Sequence, residues 1–568
     1  MNDPHPPSGL HPVEIAIAAV AGAALLLALL GWLIGSLGGV VFTGAWPQLG
    51  LADALTALTE LPSHLDDPRM AWPSDARAGL PGAAGMYVSS VIAFATVGTG
   101  VGLAVRWWLG RDRGPAIARW ASNRHLRPLL ARAPQPSRVT LGRRGHLLVC
   151  CEPLHSTLVI APTQTGKTTG LAIPAILEWE GPVLATSVKT DLLRDTIAAR
   201  SRRIGRVQLF DPASSTGMKS SAWTPLADCE TWAGARKTAA WLAEGASVSK
   251  RGLSDADFWY STAAKLLAPL FFAAVMSGRT MADVITWLDT QEEAEVEDAL
   301  KFTGVPEALH AFKASSARDL RQRSSVYATA ETILEAYADP GVLLRSEFAE
   351  IRASQLLDGK HNTLYLSATV REQRRLRPVF VALLESVIET AYAQSAATGR
   401  PLDPPLLIVL DEAANIAPLP DLDVVAATGA GHGVQLVTVL QDLAQAHERW
   451  GRDRADTIVN NHRARIIGGG IADERTLEYA TRILGDTEVR QHSSTSAELG
   501  RHSTTTSSTY RALAPANALR EARAGSALLL YGAFPPAWMT FRPWFRDRAL
   551  RALVEGDDST GARANIRS

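Results

Sequence analysis

The sequence predicts an α/β protein built on a doubly wound parallel sheet, preceded by two apolar segments long enough to cross a membrane. Three observations predict it. Short, largely apolar β-prone runs (TLVI at 157–160, VLATS at 183–187, LLIVL at 406–410, VQLVTVL at 434–440) are separated by helical stretches, the pattern of parallel strands buried on both faces. A threonine-rich turn with a glycine and a lysine joins the first of these runs to a helix, which places a ligand at the carboxyl ends of the strands. Two charge-free stretches lie within the first 105 residues.

The chain has 568 residues, enough for more than one folded unit. Apolar residues make up 46% and charged residues 20%, which excludes wholesale disorder. Lys+Arg and Asp+Glu both number 57, so net charge argues for no partner. Three cysteines, Cys150, Cys151 and Cys229, build no disulfide framework. They read as small apolar residues.

No charge occurs between Glu14 and Asp53, and residues 15–37 read IAIAAVAGAALLLALLGWLIGSL. A helical span needs roughly 20 apolar residues. The run lacks a preceding Lys or Arg and is too long for the core of a signal peptide. A second stretch, 85–105, also suffices. Between 106 and 144 stand ten Arg against one acid, Asp112, whereas the loop from Trp46 to Arg77 holds two Arg against five acids. Positive flanks stay inside. The expected protein is therefore multi-pass in the cell membrane, with both termini cytoplasmic and that loop outside. The Arg-rich stretch suits lipid headgroups or the rim of a nucleic-acid channel.

The turn after TLVI reads Ala161-Pro162-Thr163-Gln164-Thr165-Gly166-Lys167-Thr168-Thr169. This is a P-loop: backbone N–H groups wrap phosphates, Lys167 serves the β/γ oxygens, and the Thr168 hydroxyl serves Mg²⁺. The expected ligands are ATP and Mg²⁺. Ala161 replaces the first glycine, which is tolerable if that residue needs no positive φ. LLIVL ends in Asp411-Glu412, placed at the end of a neighbouring strand. Asp411 is expected to hold the metal, and Glu412 to activate the attacking water as catalytic base. VQLVTVL ends at Gln441, which fits a γ-phosphate sensor. The catalytic set is then Glu412, Lys167 and Gln441.

Taken together these segments resemble the type IV secretion coupling proteins, the conjugative DNA transfer ATPases. The likeness covers almost the whole chain. It is carried by IAPTQTGKTTGLAIPAIL (160–177), SVKTDLLRDT (187–196), VQLFDP with Trp223-Thr224-Pro225-Leu226, Asp257-Phe258-Trp259, LLIVLDEAANIAPLPDL (406–422) and VTVLQDLAQ (437–445). The resemblance implies a P-loop NTPase with a RecA-like doubly wound sheet and an inserted all-α domain that meets the substrate. It implies single-stranded, relaxase-bound DNA, relaxase or relaxosome proteins, secretion-channel components, membrane lipids and a homo-hexamer as partners. The domains would be a membrane anchor (1–110), a first nucleotide-binding part (111–226), the all-α domain (227–345), a second nucleotide-binding part (346–550) and a disordered tail (551–568). The rival class is an FtsK-like or type VII-like membrane ATPase moving duplex DNA or proteins; the helical interruption and the turn motifs argue against it.

Beside Ala161, one departure stands out. Members often carry an Arg in the turn before the Gln strand, where this chain has Gly429-Ala430-Gly431-His432-Gly433. Arg463 and Arg465 are candidates for a finger by charge alone. In the helical insertion, Arg318, Arg321 and Arg323 are candidates for phosphate contact. Between 493 and 509, eleven of seventeen residues are Ser or Thr, giving a hairpin or a loop.

Overall fold

The computed structural model describes residues 25–111 apart from 26 and 45, then 118–247, 256–496 and 502–556. The chain divides into two compact units, Met1–Ile117 and Ala118–Ser568.

In the first unit, Ala83–Arg111 is one helix, and its Ala83–Leu103 part is long and apolar enough to cross a membrane. Only 17% of that window is buried. Val91, Phe94 and Leu103 lie open, as a lipid-facing surface requires. This is the second expected span. Of the first, residues 15–24 and 26 lie outside the described residues, and Leu27–Thr43 is an apolar helix. The loop between them folds back on itself. Trp72 is buried, the Arg77 guanidinium donates to the Trp72 and Met70 carbonyls at 2.8 and 2.9 Å, and the Tyr87 hydroxyl donates to Leu65 O.

The second unit holds fourteen strands among its described residues: β1 (Leu130–Ala131), β2 (Thr140–Arg144), β3 (Leu147–Cys150), β4 (Thr157–Ile160), β5 (Val183–Ser187), β6 (Val207–Phe210), β7 (Thr363–Ser367), β8 (Leu406–Leu410), β9 (Val434–Leu440), β10 (Ala464–Gly468), β11 (Asp486–Ser496), β12 (His502–Ala512), β13 (Ser526–Tyr531) and β14 (Ala537–Thr540). Seven run parallel in the order β10-β4-β9-β8-β5-β7-β6. Side chains alternate between two cores: Leu158 and Ile160 join one, Val159 and Ala161 the other. All five side chains of β8 are buried completely, each contributing roughly 1.5–3 kcal/mol. The pure apolar run is thus the signature of a central strand.

Three expectations need correction. β8 is not the neighbour of β4: β9 lies between them, so the Gln strand is adjacent to the P-loop strand. The sheet also continues past β10 through β13, β14, β2, β3 and β1, all antiparallel. Those strands are short, and of the paired ones only β2–β3 and β13–β14 are consecutive in the chain, so local spacing does not reveal the extension. Third, residues 551–555 belong to the helix Arg548–Glu555 rather than to a disordered tail. Asp547 caps it by accepting from Ala549 N and Leu550 N, Leu550 is buried, and Gly556 ends it in the left-handed region.

Between β6 and β7 the described residues form only helices, principally Trp232–Ser247, Ala256–Met276, Met281–Thr290, Ala294–Phe302, Pro306–Ser316 and Leu320–Ile333. Their core is continuous with one face of the sheet: Phe271, Phe312 and Tyr327 share it with Phe210 and Phe380. Ala256–Met276 is apolar enough to span a membrane, yet 67% of its window is buried. It is a core helix. The Ser/Thr-rich stretch is a hairpin, with β11 and β12 paired through eleven residues each; residues 497–501 lie outside the described ones.

Candidate nucleotide site

The P-loop leaves β4 at Ala161, whose N–H donates to Leu440 O of β9 at 3.1 Å. Ala161 is fully buried and is not among the residues with positive φ. Its methyl fits because Gly468 lies opposite: a Cβ there would come within 2.6 Å of Ala161 Cβ. The missing P-loop glycine is thereby accommodated. The left-handed positions are Gln164 (φ 64) and Gly166 (φ 87), which turn successive N–H groups into a concave anion cradle. Thr165 Oγ1 closes the turn on Pro162 O at 2.9 Å.

The helix that follows is wide in its first turn, Thr168–Ala172, and regular from Ile173 to Glu178. Pro174 explains this, since it has no N–H to give to Gly170 O. That carbonyl instead accepts from Arg542 N at 3.1 Å. The C-terminal part of the fold therefore braces the P-loop helix.

Lys167 is buried, and its ammonium donates to Ala161 O at 2.8 Å. Burial holds its pKa below the ordinary lysine value, against the pull of Asp411 and Glu412. Thr168 Oγ1 donates to Asp411 Oδ2 at 3.0 Å. Burial pushes the Asp411 carboxyl up to about 6, with the Thr168 bond and Lys167 acting against it. Its other oxygen, Oδ1, is buried with no hydrogen-bond partner. An unpaired buried carboxylate oxygen beside a threonine hydroxyl is a hard-oxygen donor pair, and it fits Mg²⁺ completed by phosphates and waters. Among the described residues no group of three or more His, Cys, Asp or Glu is placed to hold a metal by itself.

Glu412 follows Asp411 at φ 60, a left-handed backbone for a non-glycine residue. Such strain clusters at functional positions. Gln441 stands at the end of β9, one residue past the Leu440 carbonyl that receives Ala161 N–H. The fold thus brings Lys167, Thr168, Asp411, Glu412 and Gln441 to one edge of the sheet. It does not bring Arg463 or Arg465 there. Arg463 precedes β10 at the opposite edge, packed on Gly532, and Arg465 Nη1 donates to Tyr479 Oη at 2.9 Å. In the turn without Arg, His432 stacks on Tyr392 with ring centroids 4.1 Å apart.

Asn415 and Gln445, not among the residues expected from the sequence, also join the site. Asn415 Nδ2 donates to Glu412 Oε2 at 3.3 Å, and Gln445 Nε2 donates to Asn415 Oδ1 at 3.3 Å. Half of the signal is local: Asn415 is three residues after Glu412, and Gln445 four after Gln441, the spacings that meet across a helical turn; the link between the two amides is not.

The basic candidates are thinned by the structure. Arg323 pairs with Glu293 at 2.6 Å, while Arg321 is exposed. Of the ten Arg between 106 and 144, Arg138 holds the Cys151 and Pro128 carbonyls, Arg143 pairs with Asp547, and Arg144 holds Asn123 and Ala121. Arg119, Arg124, Arg127 and Arg132 are exposed. The three cysteines are free and buried, and burial pushes the Cys151 and Cys229 thiols up to about 12.

Comparison with known proteins matches residues 124–564 to the family described as Type IV secretory system Conjugative DNA transfer. The conjugal transfer protein TraG of Escherichia coli is 27% identical over 422 residues, 66% of this chain and 65% of that protein. Protein VirD4 of Rhizobium radiobacter is 22% identical over 421 residues, 72% of this chain and 60% of that protein. The chain thus spans less than two thirds of the length of these relatives. Among solved structures, the bacterial conjugative coupling protein TrwBdeltaN70 aligns with a TM-score of 0.58 at 17% identity, over 75% of this chain and 92% of that one. Plasmid coupling protein TrwB in complex with ADP and Mg²⁺ aligns at 0.56 and 18%, over 75% and 93%. These structures share the P-loop fold with its mixed sheet. A family match over well more than half the sequence, on a fold that gathers the P-loop, Asp411, Glu412 and Gln441 at one edge, shows that the chain belongs to the type IV secretory system conjugative DNA transfer family.

Proposed function

We propose that this protein is a membrane-anchored coupling ATPase that uses ATP hydrolysis to pass relaxase-bound single-stranded DNA to a type IV secretion channel. The observation that carries the reading is the pairing of Thr168 with a buried, half-unpartnered Asp411 beside Lys167 and Glu412. The names of the relatives and the ADP and Mg²⁺ bound by TrwB support it.

The P-loop N–H groups receive the phosphates, and Lys167 leaves Ala161 O for the β/γ oxygens. Thr168 and Asp411 would hold Mg²⁺, which supplies charge compensation on those oxygens when bound. Glu412 takes a proton from the water that attacks the γ-phosphorus, as the bond to the bridging oxygen breaks to give ADP and phosphate. Gln441 senses the γ-phosphate. The helical insertion acts as the all-α domain that meets the substrate, and the working state is a homo-hexamer. Relaxase proteins and channel components are its protein partners.

Two tests follow. With both termini cytoplasmic, the 46–77 loop is outside; a protease site inserted at the exposed Asp66 should be cut from outside intact protoplasts. Cutting only after lysis would reverse the topology. The purified chain in detergent should bind labelled single-stranded oligonucleotides with little sequence preference, because it has exposed Arg but no groove-reading motif. Affinity should fall with salt at a log–log slope of roughly −0.7 per contacted phosphate, and Arg124→Ala with Arg127→Ala should lower that slope. Salt-independent binding, or none together with DNA-insensitive turnover, would favour protein export instead.

A further inference from the structure

Three hydrogen bonds run in one direction from the end of β9 to the carboxylate of Glu412. Gln441 N–H donates to Gln445 Oε1 at 3.2 Å, Gln445 Nε2 donates to Asn415 Oδ1 at 3.3 Å, and Asn415 Nδ2 donates to Glu412 Oε2 at 3.3 Å. Each amide is fixed in orientation by its neighbour, because an amide offers NH₂ on one side and C=O on the other. The chain terminates on a carboxylate, which only accepts.

Both links are anchored. Gln445 sits in the first turn of the helix Leu443–Trp450, where its N–H donates to the capping Asp442 Oδ1 at 2.7 Å. The same turn is tied to a second helix by Leu443 N–H donating to Thr476 Oγ1 at 3.0 Å. Asn415 lies in the short helix Ala413–Ile416, its N–H donating to Glu412 O at 2.9 Å and its carbonyl receiving the buried Arg377 Nε at 3.4 Å. Glu412 itself has a left-handed backbone, so its side chain leaves the chain in an unusual direction. There its Oε2 accepts from Asn415 Nδ2.

We propose that Asn415 and Gln445 are positioning residues that hold the Glu412 carboxylate in line for the attacking water and tie its aim to the Gln441 end of β9. The inference rests on the reading of Glu412 as catalytic base. A base displaced by about 1 Å can lose on the order of 10²-fold in rate. Substrate affinity does not depend on this aim, so the relay acts on kcat and not on KM.

The test is ATP turnover by the full chain in detergent, with binding of a fluorescent ATP analogue measured beside it. Asn415→Asp keeps shape and the acceptor for Gln445 but removes the donor to Glu412. Gln445→Glu keeps the acceptor for Gln441 but removes the donor to Asn415. Asn415→Asp and Asn415→Ala should lower kcat by roughly 10–100-fold, with KM within about twofold. Gln445→Glu should lower it by roughly tenfold. The double variant Asn415→Ala/Gln445→Glu should be no slower than Asn415→Ala, since linked residues are not additive. A purely structural role would be preserved by the two isosteric changes. Wild-type kcat in Asn415→Asp and Gln445→Glu, or multiplicative losses in the double variant, overturns the relay. Glu412→Gln distinguishes the two failures. If it abolishes turnover while the isosteric variants are normal, the base stands and the relay falls; if it turns over normally, the base reading itself falls.

Discussion

Lys167→Ala should abolish ATP turnover and DNA transfer while leaving the fold intact. Lys167 is the one residue of the P-loop whose charge is buried among the site's own carboxylates. Its ammonium rests on Ala161 O, 2.8 Å away, a neutral acceptor that a phosphate oxygen outcompetes. Removing it strips the γ-phosphate of a preorganised positive charge in a water-poor site, worth at least on the order of 10²–10³ in rate. The loss of fold stability is limited because the apolar stem and one bond are all that the chain itself uses. Turnover of the purified variant, with thermal unfolding as control, checks this. Activity within tenfold of wild type would remove Lys167 from the catalytic set.

Much of this site was legible because each part has a local signature. A completely buried parallel strand is largely apolar on both faces, so TLVI, LLIVL and VQLVTVL announced themselves, and the polar residues Asp411 and Gln441 that follow the last two had to lie at the ligand edge. What was not legible depends on pairing between distant strands. Nothing local in β8 and β9 says that β9 inserts between β8 and β4. The antiparallel extension is built from strands as short as β1, two residues long, whose apolar content is ordinary. Ala161 is the instructive case: its fitness depends on Gly468, more than three hundred residues away, and on no neighbour in sequence. Asn415 and Gln445 stood inside segments already singled out, but their amides acquire meaning only once the ends of β8 and β9 are side by side.

Arg542→Ala should destabilise the second unit by about 3–5 kcal/mol, the cost of breaking a buried ion pair from one side. The Arg542 side chain is 4% exposed. Its guanidinium pairs with Glu178, at the end of the P-loop helix, and with Asp547, which caps the C-terminal helix, at 2.6 Å. Arg143 of β2 reaches the same Asp547 oxygen at 2.5 Å, and Thr140 donates to Glu178 at 2.8 Å. Truncation leaves Asp547 with Arg143, but it leaves Glu178 buried with one hydroxyl donor. Burial already raises the Glu178 pKa, and the Arg542 charge is what opposes it. In the variant the folded-state pKa of Glu178 rises further above its unfolded value, so the variant is best relieved at low pH and loses stability as pH rises through that folded pKa. Asp547 contributes the opposite dependence. Its carboxyl is held down to about 2 in the intact chain, so it adds stability above the ordinary aspartate range that disappears as pH falls toward 2. Of the two carboxylates that Arg542 touches, only Glu178 acts between pH 5 and 8, so the stability gap between wild type and Arg542→Ala should widen with pH. Unfolding of the detergent-solubilised chain at pH 5 and pH 8 measures it. A pH-independent gap, or one below about 1 kcal/mol, the range of an exposed pair, would show that the cluster is solvated and that the brace on the P-loop helix comes from the Arg542 N–H to Gly170 O bond alone.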